Sequence, residues 1–340
     1  MADKPLISVI ILNWNGEKLL GRCLAALDGQ TFKDFETIIV DNASTDRSIE
    51  IIEQSWPQAK LIKSDRNLGF AAANNLGARM ARGKWIAFLN NDAFPLPEWL
   101  DSLFRAAQTN PEVTAFASLI LKAHAPDILE SAGDEYHVSG LAWHHLKDHP
   151  LDAVSLEQAE IFSACAAAAM IEKAAFDLAG GFDEQFISHF EDVDLGFRLW
   201  LSGKKCLFVP EARVLHLGSA SYGVENDVTI YRVQRNVVWT FFKNMPGPLF
   251  WKYLPAHLFA NMVFLIYYIS KGKWKPVMRA KLDSIRALNR VLQERRQIQA
   301  EIRADIRVID HLMNHNWIAP YLLGKRGARI LKMPVRSGSS

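Results

Sequence analysis

The sequence predicts an α/β protein: a mostly parallel sheet flanked by helices, with a helical extension at the C-terminus. Three observations predict it. Through about residue 110, short β-branched apolar runs alternate with segments of helical periodicity. Three of those runs end in loops rich in Asn and Asp, as strands feeding a ligand site do. Beyond residue 229 the strand signals stop and helical spacing takes over.

Ile7 to Leu12 is continuous and β-branched, as expected of a strand covered on both faces. Leu19, Leu20, Cys23, Leu24 and Leu27 then recur at helical spacing. Glu36 to Val40 predicts a second strand, and Asp46 to Gln54 a second helix with Ile49 and Ile52 inward. Lys60 to Lys63 reads as a short strand, Leu68 to Arg82 as a small-residue helix, Trp85 to Leu89 as the next strand, and Pro97 to Gln108 as a helix with a proline start. This order implies right-handed crossovers and ligands beyond the carboxyl ends of the strands. The loops there are Asn13-Trp14-Asn15-Gly16, Asp41-Asn42-Ala43-Ser44 and Asn90-Asn91-Asp92.

From about 113 to 225 the pattern changes. Val113 to Leu121 and Ile161 to Ile171 read as strands. Between them lies a polar stretch with His137, His144, His145 and His149, too irregular in spacing for a metal set and expected to be a mobile loop or flap. Cys206 to Val209 and Arg213 to Leu217 read as two short strands. The expected division is a catalytic region over 1–228, with halves at about 1–110 and 111–228, and a helical, basic region over 229–340. Leu249 to Ile269 is strongly apolar but carries Lys252, Pro255, His257 and Asn261, which suits an interfacial helix better than a clean span. Ser337 to Ser340 reads as disordered.

A chain of 340 residues, 49% hydrophobic, has ample material for a core and for about two domains. Its three cysteines, Cys23, Cys165 and Cys206, lie far apart in apolar runs, which predicts buried thiols rather than a disulfide framework. No signal peptide is expected, because the N-terminus lacks a basic segment. Asn42-Ala43-Ser44 has glycosylation spacing but falls inside a ligand loop. The net charge of +2 conceals an asymmetry: from Lys271 onward there are 16 Lys/Arg and 5 Asp/Glu, against 23 and 32 before it. A basic tail on an acidic body points to an anionic surface.

Several residue sets suggest chemistry. Asp41, at a strand end, can accept from the imide N–H of uracil or thymine, while Ser44, Thr45 and Asp46 can equally cap a helix. Asn67 and Gly69 precede the small-residue helix, whose N-terminus favours a diphosphate, and Asn74 and Asn75 are unusual inside it. Asp92, with Asn90 and Asn91, is the metal candidate, because magnesium and manganese take one or two protein oxygens and the rest from phosphate and water. His216 follows a short strand and can add a nitrogen ligand. In Glu191-Asp192-Val193-Asp194, three acids in four residues are hard to bury unless they bind something, and one can serve as general base.

Taken together, Ser8 to Asn15, Val40 to Asp46, Asn67 to Phe70, Leu89 to Asp92 and Phe190 to Leu195 resemble family 2 of the inverting glycosyltransferases, over about Pro5 to Ser221. The resemblance is nearest to bacterial rhamnosyltransferase-like enzymes of surface polysaccharide assembly. It implies a GT-A fold, a Rossmann-like nucleotide-diphospho-sugar transferase architecture, with Asp41 on the nucleobase, Asp92 on a divalent metal (Mn2+ or Mg2+) and Asp192 as catalytic base. His216 resembles a position that supplies a further metal ligand in some members. The family's usual Asp-X-Asp is here Asn90-Asn91-Asp92, leaving Asp92 as the one carboxylate of the motif. Asn13, Asn15, Asn67, Gly69, Asn74, Asn90 and Asn91 are then the expected donor contacts, Glu191 and Asp194 the acceptor or loop support, and Arg232 and Arg235 candidates for phosphate.

The expected reaction is transfer of a sugar, rhamnose favoured, from a dTDP- or UDP-linked donor to a hydroxyl of a glycan or polyprenyl-diphosphate-linked acceptor. An anionic membrane surface is the expected partner, nucleic acid is not, and the expected location is the cytoplasmic face of the cell membrane. A metal-dependent nucleotidyltransferase is the alternative enzyme, but its basic Gly-rich loop is lacking: no basic residue follows the first strand until Lys18. The retained acids argue against a non-catalytic sugar- or lipid-binding scaffold.

Overall fold

The computed structural model describes residues 4–218 and 226–319. Its elements run β1 (Ile7–Asn13), α1 (Leu20–Asp28), β2 (Phe35–Asp41), α2 (Ser48–Ser55), β3 (Lys60–Lys63), α3 (Phe70–Met80), β4 (Trp85–Asn90), β5 (Ala93–Pro95), α4 (Trp99–Thr109) and β6 (Val113–Lys122). Then follow β7 (Ala125–Ser131), β8 (Asp134–Tyr136), β9 (Ala142–His144), β10 (Ala159–Glu160), β11 (Ala168–Glu172), α5 (Lys173–Leu178), α6 (Glu191–Leu201) and β12 (Lys205–His216). Helices α7 (Asp227–Asn244), α8 (Gly247–Ser270), α9 (Trp274–Arg286), α10 (Leu288–Ala300) and α11 (Ile306–Leu312) complete the described chain.

The main sheet has the order β10-β12-β6-β11-β4-β1-β2-β3. Strands β3, β2, β1 and β4 are parallel, and β11 enters antiparallel between β4 and β6. The two-residue period of a strand divides β1 between two buried layers. Ile7, Val9 and Ile11 face one, with Leu24 of α1 and Trp99 of α4; Ile10 faces the other, with Ala73 of α3 and Phe197 of α6. The small residues of α3 serve this packing. A Cβ on Gly77 would lie 2.6 Å from Ile10 Cγ2.

Three sequence expectations change here. The histidine-rich stretch is ordered: β8 pairs with β9, His137 is buried, and Tyr136 stacks on Phe162 at 4.7 Å. Of the strand expected over 161–171 only the last part forms one, β11; the residues before it, after the short β10, are irregular and turn towards the acids of α6. The two strands expected near 206 and 217 are one, β12, whose register against β6 shifts between Val209 and Arg213. Pro210 lies inside that shift and has no N–H for the ladder.

The helical region does not stand apart. Phe241, Met245, Leu249, Ile309 and Met313 belong to the same buried layer as Phe197 and Phe162. Residues 337–340, expected to be disordered, lie outside the described residues.

Candidate active site

The carboxyl ends of β1, β2 and β4 meet at Asn13, which is fully buried. Its Nδ2 donates to Asp41 Oδ1 (2.9 Å) and Ser44 Oγ (3.2 Å), and its Oδ1 accepts from Asn91 Nδ2 (2.9 Å). One amide thus ties three loops together, satisfying polar groups that burial would otherwise penalise. Asp41 is also buried, and its second oxygen accepts the Ser44 amide at 3.0 Å. Asn15 and Asn67 are exposed; Asn15 Oδ1 accepts from Thr45 N and Asn67 Oδ1 from Gly69 N. Asn74 is buried and donates to Phe70 O, one turn back. Asn75 bonds Phe182 O and Phe182 N, a structural reason for its place in the helix.

Gly69 differs from expectation. Its φ is +82°, a conformation glycine reaches without cost, but the space before it holds Ile187, whose Cγ2 would lie 2.6 Å from an added Cβ. The Ile187 carbonyl also accepts from the Phe70 and Ala71 amides at 2.7 and 3.1 Å. Those amides of α3, expected to meet a diphosphate, are therefore satisfied within the protein.

Asp92 follows β4 and is buried beside His216, the last residue of β12. Pairing of β5 with β12 brings them together: His216 sits opposite Ala93, and Leu217 N donates to Asp92 O. Asp92 Oδ1 lies 3.1 Å from His216 Nε2, and Glu130 Oε1 lies 2.9 Å from Nδ1. Burial works against a charged imidazole, but bonds to both carboxylates push its pKa up to about 10, so His216 is an imidazolium at neutral pH. Asn90 Nδ2 stands 3.5 Å from the same ring. A divalent cation fits this donor set only by displacing the Nε2 proton of that imidazolium, because a histidine ligand must be neutral. Two adjacent ligands about 2.1 Å from an octahedral ion are about 3 Å apart, as Asp92 and His216 are. Among the described residues no group of three or more His, Cys, Asp or Glu is placed to hold a metal ion.

The second acidic motif opens α6. The loop before it has positive φ at Ile187 (67°), His189 (68°) and Phe190 (71°). Such backbone costs about 1–3 kcal/mol per residue and persists only where surroundings enforce it. Helix α7 provides the bracing. Asn236 Nδ2 donates to the carbonyls of Phe186, Ser188 and His189, and Arg235 to those of Gln185 and Phe186. Arg235 also stacks on Trp239, 4.1 Å from the ring centre, and Arg232 bonds Ser188 Oγ. The two arginines expected near phosphate thus brace the loop that sets α6.

The three acids of the motif have different surroundings. Asp194 is fully buried and paired with Arg198 (2.8 Å), Lys243 (2.9 Å) and Asn244. Burial raises its pKa, but Lys243 and Arg198 outweigh that and hold it below the usual carboxylate range. Glu191 is buried with Oε2 lacking any hydrogen-bond partner among the described residues. Burial, then Asp192, push its pKa well above the ordinary value. Asp192 is half-buried, accepting from Ala166 N (3.3 Å) and Val193 N (2.8 Å). Burial, then neighbouring Asp134, push it up to about 6, the value of a base poised near neutral pH.

Asp134 and Ser163 were not singled out by the sequence, and His144 was read only as part of a histidine-rich flap. Asp134 is buried, 2.6 Å from His144 Nδ1 and 2.9 Å from Ser163 Oγ. No spacing rule marks them, because three separate segments deliver them. Glu130 escaped for the same reason.

The two acidic clusters share one end of the sheet. Asp192 is tethered to Ala166 N, while the next residue, Ala167, accepts from Asn90 N, two residues before Asp92. Cys165 lies between: burial raises its thiol pKa, followed by Asp134, Asp192 and, more weakly, Glu130.

Residues 8–176 match the family described as Glycosyl transferase family 2. The chain is 30% identical over 227 residues to the O-antigen biosynthesis protein RfbC of Myxococcus xanthus, covering 64% of this chain and 18% of that one. It is 28% identical over 245 residues to an N-acetylglucosaminyl-diphospho-decaprenol L-rhamnosyltransferase of Mycobacterium tuberculosis, covering 64% and 78%. Other curated relatives also extend past the match, which covers 53% of one and 26% of another. The crystal structure of GalNAc-T7 with UDP, GalNAc and Mn2+ superposes with a TM-score of 0.58 at 19% identity, over 72% of this chain and 48% of that one. At that identity the likeness speaks for the fold, and the fold is GT-A. Asp192 and His216 lie beyond the matched residues.

Proposed function

From a chain that carries a glycosyl transferase family 2 domain over residues 8–176, we infer an inverting glycosyltransferase. It moves a sugar, rhamnose favoured, from a dTDP- or UDP-linked donor to a hydroxyl of a glycan or polyprenyl-diphosphate-linked acceptor. One observation supports this above the rest: Ala166 and Ala167 join a carboxylate with a raised pKa to a carboxylate–histidine pair at the same sheet end. The rhamnosyltransferase relative favours the sugar and a lipid-linked acceptor.

Asp192 takes the proton of the acceptor hydroxyl, which then attacks the anomeric carbon from the face opposite the diphosphate. Ala166 and Val193 amides hold its carboxylate in place. Asp92 and His216 would hold a divalent cation, with Glu130 orienting the imidazole through Nδ1. That cation would supply Lewis-acid stabilisation of the departing diphosphate. Arg232 and Arg235, which brace the 185–189 loop, act on geometry rather than on phosphate.

The test is a screen of dTDP- and UDP-sugars with a polyprenyl-diphosphate-linked acceptor, with and without Mn2+, reading nucleotide release and the product's anomeric configuration. Release of a nucleoside diphosphate with inversion is expected, and loss of release on chelation. Retention of configuration would overturn the single displacement, and full activity after chelation would overturn the metal.

A further inference from the structure

Helix α8 has no polar face. It is long and apolar enough to cross a membrane, yet only 28% of its most apolar stretch is buried. Tyr253, Ala256, His257 and Ala260 face the protein body, and His257 Nδ1 lies 2.8 Å from the Ser139 carbonyl. Trp251, Leu258, Met262 and Ile269 lie on the opposite side at helical spacing and are exposed, Trp251 by 72%. An apolar helix is ordinarily covered all round.

Helix α9 follows after a short turn and repeats the arrangement. Val277, Ala280 and Ser284 are buried on its inner side. Trp274, Met278, Leu282 and Ile285 form an exposed outer stripe, with Ile285 69% exposed. Lys275, Arg279 and Arg286 border that stripe, and Lys271 precedes it; all four are exposed. Both stripes lie opposite the faces packed on the body, and α8 and α9 touch.

We propose that α8 and α9 form a platform lying in the plane of an anionic lipid surface, with the two apolar stripes below the headgroups and the basic residues among them. Tryptophans beside apolar stripes, bordered by Lys and Arg, are the pattern of an interfacial helix. The charge favours lipid over a second copy of the chain, because two such basic faces repel. A crossing is disfavoured, because Tyr253, Ala256, His257 and Ala260 are packed on the body and Lys252 is paired with Asp310 at 2.9 Å. The cytoplasmic leaflet supplies the anionic lipid. This inference is independent of the sugar-transfer reading, and its test reads binding rather than turnover.

The experiment is flotation of the full chain with pure phosphatidylcholine vesicles and with vesicles mixed with phosphatidylglycerol. The chain should float with the anionic vesicles and far less with the neutral ones. Replacing Leu258, Met262, Leu282 and Ile285 together by Ser should abolish flotation while thermal unfolding is unchanged, since all four are exposed. The second variant, Lys271→Glu with Lys275→Glu and Arg279→Glu, should weaken anionic-vesicle binding on the order of 100-fold. Flotation unchanged in the serine variant would overturn the proposal. So would absence of wild-type binding, including the case where sedimentation shows self-association that the serine variant loses.

Discussion

Two acidic clusters flank Cys165, and they are built to opposite electrostatic ends. Around Asp92, two carboxylates share one imidazole, and His216 takes a proton so that positive charge lies between them. Around Asp192, burial and the neighbouring Asp134 both work against its charge, His144 is bonded to Asp134 rather than to Asp192, and buried Glu191 is itself pushed well above the ordinary carboxylate range. The first cluster is balanced by its own imidazolium, so a divalent ion binding there would have to displace that proton. The second makes its own ionisation unfavourable and so retains proton affinity. Similar residue types thus give a protonated imidazole between carboxylates in one place and a carboxylate with raised proton affinity in the other, decided by burial and the neighbouring charges.

The largest effect should come from removing Asp192, the proposed base. Asp192→Asn is expected to lower transfer by about 10²–10⁴-fold while donor binding and circular dichroism stay as in the wild type. Near-normal turnover would erase the distinction between the clusters. Asp194, two residues on, should respond in stability instead. Asp194→Ala leaves Arg198 without its carboxylate and buried Lys243 with Asp183 as its near counter-ion, and should cost about 3–5 kcal/mol, read by denaturant unfolding. A smaller effect is expected at the other cluster. Glu130→Gln leaves His216 in place but weakens its orientation, and should raise the Mn2+ concentration for half-maximal activity by about 10–100-fold.

The smallest change is a shift in pH profile. Asp192 must be ionised to accept a proton, and its pKa lies at about 6, so the rate of transfer should fall as pH drops below that value. Because Asp134 helps to raise that pKa, Asp134→Asn should move the acid limb to lower pH. A limb that stays in place would mean that Asp134 has no hold on the base.

Much of the architecture was legible because it is written locally. Strands β1 to β4 lie where β-branched runs predict them, and Lys60–Lys63 matches at both ends. A buried parallel strand must be apolar on both faces, so its sequence has little freedom. The loops at the strand ends were legible for the same reason. Less legible was what their polar residues do: Asn13 and Asp41 spend their bonds on each other and on Ser44, and Gly69 makes room for Ile187.

What the sequence alone determined is the mostly parallel α/β class, the strands β1 to β4 and the loops at one end, because hydrophobic period and turn chemistry act over a few neighbouring residues; the place of each strand in the sheet was left to tertiary structure. The resemblance already set Asp192 apart as the expected base; only tertiary structure showed why Asp192 and Asp194, with the same side chain, differ, one pushed up by burial and Asp134 and the other held down by Lys243 and Arg198. Tertiary structure also decided that α7 braces the loop before α6, and that Glu130, Asp134 and His144 reach the acids from segments distant in the chain. Desolvation and Coulomb terms depend on distance in space, and no residue spacing encodes that distance.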